Sequence, residues 1–378
     1  MGIVQEQHPA RARLFHQWQQ MEWPVVVDSL NLLGVTVVPI HLLVDRHGVV
    51  QAIARDPDQL DAFLAQGVGS PSPAPEAVVP DRAAMGKLLL GAGKGSARRW
   101  RDLGDAEFLW GDLDASIEAY ARAIALSEID EKAHFRLGVA HLRRDATESR
   151  REFDFRTAVQ AFTTALDLEP ANYIWRRRIQ QYGPQLDKPY PFYDWVATAN
   201  SEITARGATP VPLVARLTDA ERVHPKGAPP SIALIPHPDP AGKLPRDKTR
   251  FVAIEAAFAP ASARSGKPVR LHVVLRPDAK REVHWNNEVA PLQVWIEPHP
   301  GWKAEPSTLV AARPESKVES DEVRAVEFEL VAAAGVAGEQ TVRGYAIYPV
   351  CEGEGGTCIF LRQDFTVIVQ VEGSASEE

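Results

Sequence analysis

The chain has 378 residues, 45% of them hydrophobic, with 42 Lys and Arg against 50 Asp and Glu for a formal net charge of -8. That length exceeds one hydrophobic core, so two or three domains of roughly 100 to 150 residues are expected, and the acidic balance gives no overall field to attract nucleic acid or anionic lipid. No apolar run reaches the roughly 18 residues that a bilayer span needs, and Met1-Gly-Ile-Val-Gln carries no secretory signal, which leaves open a start truncated from a longer protein.

Residues 1–67 alternate strand and helix signals. Gly2 to Gln5 is a short apolar run, Ala10 to Glu22 carries Leu14, Phe15, Trp18 and Met21 at helical spacing, and Trp23 to Asp28 reads as a strand. After a turn ending at Gly34, Val35 to Ile53 predicts two strands joined by Asp45 to Gly48, a hairpin turn whose Gly tolerates positive φ. Asp56-Pro57-Asp58 then caps a helix from Gln59 to Ala65. Gly34-Val35-Thr36-Val37-Val38-Pro39 matches a G-V-x-x-x-P pattern, and with the hairpin after it the order resembles the second half of a thioredoxin fold. The resemblance implies a cis peptide before Pro39 and binding of a substrate backbone at Val38 and Pro39. The family's first strand and Cys-x-x-Cys helix would precede Gly2, so this partial thioredoxin-like domain cannot turn over alone. Its electrons would come from a thioredoxin-like partner or from a missing N-terminal segment.

Residues 68–96 read as a linker, Pro-rich from Gly69 onward. Gly91-Ala-Gly-Lys-Gly-Ser96 invites a phosphate-loop reading but lacks the first glycine of that motif, since Leu88 stands in its place.

From Ala97 the chain is helical and repetitive. Trp100, Leu103, Gly104, Tyr120 and Ala123 fall on the tetratricopeptide pattern, and His134, Leu137, Gly138, Ala158, Phe162, Ala165 and Pro170 repeat it. Trp100 to Ala123 is 23 positions and His134 to Ala165 is 31, so the second copy is longer, the excess falling in the charged A-T-E-S-R-R-E-F stretch. The small residues Gly104, Gly138, Ala123 and Ala165 permit close helix approach, and Asn172 to Tyr182 reads as an incomplete third helix that caps the stack. The stack is assigned 97–206, with a groove expected to hold a protein or peptide client. His134 and His141 lie seven apart, too far for the usual helical ligand pair, and Arg176 to Arg178 reads as a solvated face.

Residues 207–249 are a Pro-rich connector. Beyond it the period becomes two: Val269, Leu271, Val273 and Leu275 alternate with Arg270, His272, Val274 and Arg276, and similar runs surround Phe328 and Val367. Strands at this spacing predict an all-β sandwich of about seven to nine strands over 250–372, followed by a polar tail, 373–378.

Cys351 and Cys358, the only cysteines, flank a Gly-rich acidic turn between two such strands. Hairpin geometry allows them to form a disulfide, either as a staple or as an exchange centre open to a foreign thiolate. The pair, Tyr345, Tyr348, the following F-L-R-Q-D-F-T-V-I-V strand and the upstream P-D-A-K-R-E-V-H-W-N-N-E stretch resemble the N-terminal periplasmic domain of the thiol:disulfide interchange protein DsbD, an immunoglobulin-like sandwich. That resemblance implies electron transfer through Cys351 and Cys358, an extracytoplasmic location, and a cap over the disulfide supplied by Trp285 or His284; core packing is the other reading of Trp285. Six residues separate the cysteines where five or fewer are usual, and the family's proline soon after the second cysteine is missing. No cofactor, zinc or hydrolase motif occurs. The expected architecture is a multidomain α/β, all-α and all-β chain. Its expected activity is that of a thiol-disulfide oxidoreductase, with a non-catalytic repeat scaffold carrying a structural disulfide as the alternative.

Overall fold

The computed structural model describes residues 1–45, 49–54, 56–65, 81–90, 95–185, 195–215, 218–221, 237–314, 317–353 and 355–373. At the N-terminus, β1 (Gly2–Val4) leads through α1 (Pro9–Trp18) to β2 (Val25–Val27), which pairs with β1 in parallel. The hairpin of β3 (His41–Val44) and β4 (Val50–Ala54) follows, its tip at 46–48 lying outside the described residues. Next comes α2 (Pro57–Ala65), with Asp56 Oδ1 accepting from the Gln59 N–H at 3.0 Å. The Val38–Pro39 peptide is cis. These four strands form two separate two-stranded sheets rather than the single sheet a thioredoxin half would need. The chain between them leaves the sheet to lie on the helical stack: Leu30 is buried among Phe135, Val139 and Trp175, and Thr36 O accepts from the Tyr173 N–H at 3.1 Å.

The segment expected as a linker contains a helix, α3 (Arg82–Leu90), which Arg82 ties to Glu107 and Asp112 of the next elements; residues 68–80 and Gly91–Lys94 lie outside the described residues. The stack is built from α4 (Ala97–Trp110), α5 (Leu113–Leu126), α6 (Glu131–Asp145), α7 (Asp154–Leu168) and α8 (Tyr173–Gln180). Asp112, Asp130 and Asn172 cap their helices by accepting from the N–H three residues on, satisfying donors that a helix start leaves orphaned. The repeat glycines act as read: a Cβ on Gly104 would stand 2.5 Å from the Tyr120 ring, and one on Gly138 2.6 Å from Phe162. The final helix, α9 (Trp195–Ala205), departs from expectation. It packs against α1, where Trp18 and Trp195 stack at 5.7 Å, and is not part of the repeat stack.

The remaining strands are β5 (Val252–Ala259), β6 (Ser262–Arg264), β7 (Pro268–Pro277), β8 (Val283–Asn286), β9 (Gln293–Ile296), β10 (Trp302–Ala304), β11 (Thr308–Val310), β12 (Glu319–Ser320), β13 (Arg324–Ala332), β14 (Gly338–Glu352) and β15 (Cys358–Glu372). A four-stranded sheet runs β10-β13-β7-β5. The larger sheet runs β11-β9-β14-β15-β6, with β8 on β14 and β12 on β8. One core lies between them, and Val269, Leu271, Val273 and Leu275 are fully buried in it. The strand number exceeds the seven to nine expected because short segments such as β10, β11 and β12 carry too few residues to show a period.

Of the residues that alternate with the core positions on β7, Arg270 and His272 are buried too. The helical stack covers that face. His272 Nε2 meets Tyr182 O at 2.6 Å, Arg156 donates to Ala256 O at 2.6 Å, and Thr163 Oγ1 accepts from the Ala261 N–H at 3.1 Å. Arg178 is likewise buried, over the Phe135 ring, and not on a solvated face.

The connector is anchored at both ends. Arg11 donates to Glu221 at 2.5 Å with both side chains buried, and Asp239 and Asp247 bond Arg362 and Tyr348.

Two stability measurements check this packing. Gly138→Ala gains about 1 kcal/mol of helix propensity but forces the Phe162 contact apart, so overpacking of about 1–3 kcal/mol should win and lower the urea midpoint. Arg11→Ala leaves the Glu221 carboxylate buried without its cation, and should cost about 3–5 kcal/mol in the same experiment.

Candidate functional site

β14 and β15 are paired without a break in register from Gly338↔Val371 to Cys351↔Cys358. Cross-strand partners stand closest of all residues in a sheet, so the ladder itself delivers the two cysteines to each other. They are joined, with S–S 1.98 Å and Cα–Cα 4.0 Å. The turn beyond them depends on glycine: Gly353 and Gly355 have φ of 71° and 66°, and a Cβ on Gly356 would collide with the Glu352 carbonyl.

The two sulfurs differ in setting. Cys351 is 1% exposed, whereas Cys358 lies in an exposed position on the edge facing solvent. The difference follows from the sheet, because Cys351 is flanked on its other side by β8, in register with His284. His284 Nδ1 sits 3.1 Å from Glu282 O, and its Nε2 is 3.3 Å from Glu319 Oε2 on β12. The Cys351 Sγ, an imidazole nitrogen of His284 and a Glu319 carboxylate oxygen all lie within 4.8 Å of one another.

Beneath this rim the side chains are buried and in contact. Trp285 is fully buried, edge-on to Tyr348 at 6.0 Å and under the Arg324 guanidinium at 4.8 Å, with its indole N–H donating to Glu322 O at 2.8 Å. It therefore forms the floor of the site, not a cap over it. Arg324 donates to Asn287 Oδ1 at 2.6 Å, and Asn287 donates to Ser320 Oγ at 2.8 Å, fixing the strands that carry His284 and Glu319. Tyr348 donates to Asp247 at 2.8 Å, and burial pushes its phenol above the ordinary range, keeping it a donor. Tyr345 meets the Asp239 N–H and His237, each at 3.2 Å. Both tyrosines hold the connector to the sheet.

The structure does not bring Val38 and Pro39 to the cysteines. Both are exposed on the segment that lies along the helical stack, and no hydrogen bond joins them to the hairpin among the described residues. The expected client groove is also altered: the α6 face bearing Phe135, Val139 and Leu142 is covered by Leu30, with Gln7 donating to Val139 O at 3.5 Å and His8 meeting the Tyr182 hydroxyl at 3.2 Å. His134 and His141 bond Glu128 O and Asp154 separately. A cleft of about 840 Å³ between stack and sandwich is lined by Asp145, Arg150, Glu255 and Arg276, and ion pairs link these charges to one another. Sequence reasoning missed the juxtaposition of His284 and Glu319 with Cys351. His284 was visible beside Trp285, but its pairing with Cys351 depends on a strand contact that no short-range pattern encodes.

A TPR repeat family model matches residues 104–144, which places a protein-interaction repeat on α4, α5 and α6. No curated protein matches the chain. Among solved structures, AvmM, which catalyzes macrocyclization in alchivemycin A biosynthesis, is 12% identical, covering 36% of this chain and 98% of that one, with a TM-score of 0.20. AggA, the major subunit of aggregative adherence fimbriae type I from Escherichia coli, is 9% identical over 32% of this chain and 95% of that one (TM-score 0.19). The ASH/PapD-like domain of human CEP192 is 14% identical over 33% and 87% (TM-score 0.19). Likenesses at these TM-scores define neither fold nor function.

The asymmetry of the two sulfurs is testable by alkylation. After mild reduction of the native chain, iodoacetamide should modify Cys358 several-fold faster than Cys351, as peptide mass mapping would show; equal rates would contradict the burial described.

Proposed function

We propose that the chain is a thiol-disulfide exchange protein whose redox centre is Cys351–Cys358, with the TPR repeat contributing contacts to a protein partner. The observation that carries this reading is the pairing of one exposed sulfur, Cys358, with one buried sulfur, Cys351, beside an imidazole. A thiolate of a dithiol partner attacks Cys358 Sγ in line with the S–S bond. A mixed disulfide forms, and Cys351 departs as a thiolate beside the His284 imidazole. The partner's second thiolate then breaks the mixed disulfide and releases Cys358. Two electrons have passed to the pair, and the partner is left as a disulfide; the reverse sequence oxidises the pair again.

The energetics favour exchange over a staple. Closing so short a loop contributes about 2.5 kcal/mol in the chain-entropy model, small beside the core that β5 to β15 already bury. The DsbD-like, immunoglobulin-like reading of the sandwich fits the same role, as does an extracytoplasmic setting, where a disulfide persists. The partial thioredoxin-like reading of residues 1–67 leaves the electron donor as a thioredoxin-like partner chain or a missing N-terminal segment, since the sequence holds no cysteine besides Cys351 and Cys358.

Equilibration against glutathione buffers tests the proposal. A midpoint above about -250 mV supports exchange, and one below about -300 mV identifies a structural staple on a repeat scaffold. With Cys351→Ser, Cys358 first capped as a mixed disulfide with glutathione should accept the thiolate of a partner whose second cysteine is replaced by Ser, releasing glutathione and accumulating a stable protein–protein disulfide, because neither chain keeps a second thiol to resolve it.

A further inference from the structure

We propose that reduction of the Cys351–Cys358 disulfide converts this rim into a site for a thiophilic divalent cation, Zn²⁺ by ligand class, held by both thiolates, His284 Nε2 and the Glu319 carboxylate. The inference requires that the pair can be reduced, and does not depend on exchange with a partner.

The tautomer of His284 is the first argument. Its Nδ1 faces the Glu282 carbonyl at 3.1 Å, and a carbonyl oxygen only accepts, so Nδ1 carries the proton. In the neutral ring Nε2 then presents a lone pair. That atom is buried and makes no hydrogen bond, and the nearest acidic atom is Glu319 Oε2 at 3.3 Å, also a lone-pair donor. Two electron-rich atoms held this close need a proton or a metal ion between them. A histidine whose other nitrogen donates to a carbonyl is the ordinary second-shell arrangement of a metal ligand.

The third atom is Cys351 Sγ, within 4.8 Å of both. Zinc bonds of about 2.3 Å to sulfur, about 2.0 Å to nitrogen and about 2.0–2.2 Å to oxygen put tetrahedral ligands roughly 3.3–3.8 Å apart, so a contraction of about an ångström closes the shell. The Glu319 side chain and the hairpin end at Cys358 are exposed, so core packing does not oppose that contraction.

Oxidation state gates the site. In the disulfide, each sulfur is bonded to the other and only two ligands remain. A dithiol reductant supplies two electrons and two protons, becoming a disulfide itself while Cys351 and Cys358 become thiols. Zn²⁺ then displaces the two thiol protons and completes an S₂NO set.

The test uses the full chain, reduced with a dithiol, freed of it by anaerobic desalting, and titrated with Zn²⁺ against a chromophoric chelator, then with Co²⁺ as a spectroscopic probe. The expected result is one equivalent bound by the reduced chain, at least about 100-fold weaker binding by the oxidised chain, and a thiolate-to-cobalt charge-transfer band with the intense visible bands of tetrahedral Co²⁺. His284→Ala should weaken binding by about 10–100-fold, and Glu319→Gln, on an exposed side chain, should do so without disturbing the fold. Equal affinity of the reduced and oxidised chains, or wild-type affinity in His284→Ala, would overturn the proposal. A pair that binds Zn²⁺ when reduced yet has a staple-like midpoint potential would defeat the exchange reading and leave this one standing.

Discussion

The long antiparallel ladder between β14 and β15 is the constraint on which the site depends. β14 is paired on both edges, with β15 on one side and with β8 and β9 on the other. A register slip of one residue would turn every side chain of β14 to the opposite face, removing Val342, Ala346, Tyr348 and Val350 from the core. That burial fixes the register, and the register in turn fixes which residues face each other at the far end. Cys358 and His284 are held to Cys351 by packing that takes place many residues away.

The same logic explains why the sulfurs are unequal. A disulfide at the tip of an isolated hairpin would expose both atoms. Here β8 and β12 continue the sheet beyond Cys351, so only Cys358 stands at the edge. The buried floor of Trp285, Tyr348 and Arg324 underlies that geometry, with hydrogen bonds linking Arg324 to Asn287 and Asn287 to Ser320. The architecture thus distinguishes a buried sulfur from an exposed one, the asymmetry that the proposed exchange uses.

Much of this was legible in the sequence, and the failures have physical causes. The glycines at 104 and 138 could be read because their role is local: a helix pair must pass where a side chain would collide with Tyr120 or Phe162. The cysteine hairpin was legible for the same reason, as was the alternation of Val269 to Leu275. Long-range burial was not. Period alone says of Arg270 and His272 only that they oppose the core residues; that a helical stack covers them is a tertiary fact. Leu30 and Gln7 read as parts of a small α/β unit, yet they lie on α6, since its apolar face lacked a cover that the repeats alone did not provide. Trp285 looked like a possible lid because a tryptophan beside a disulfide fits either role, and only the pairing of β8 with β14 turns it inward.

The central claim is that the disulfide reacts in the folded protein. Its most direct measurement is the rate of reduction by a small thiol, followed across increasing urea well below the unfolding transition. The account predicts fast reduction in the absence of denaturant, with a rate set by thiolate concentration and insensitive to urea. Reduction that appears only as the protein unfolds, in proportion to the unfolded population, would contradict it.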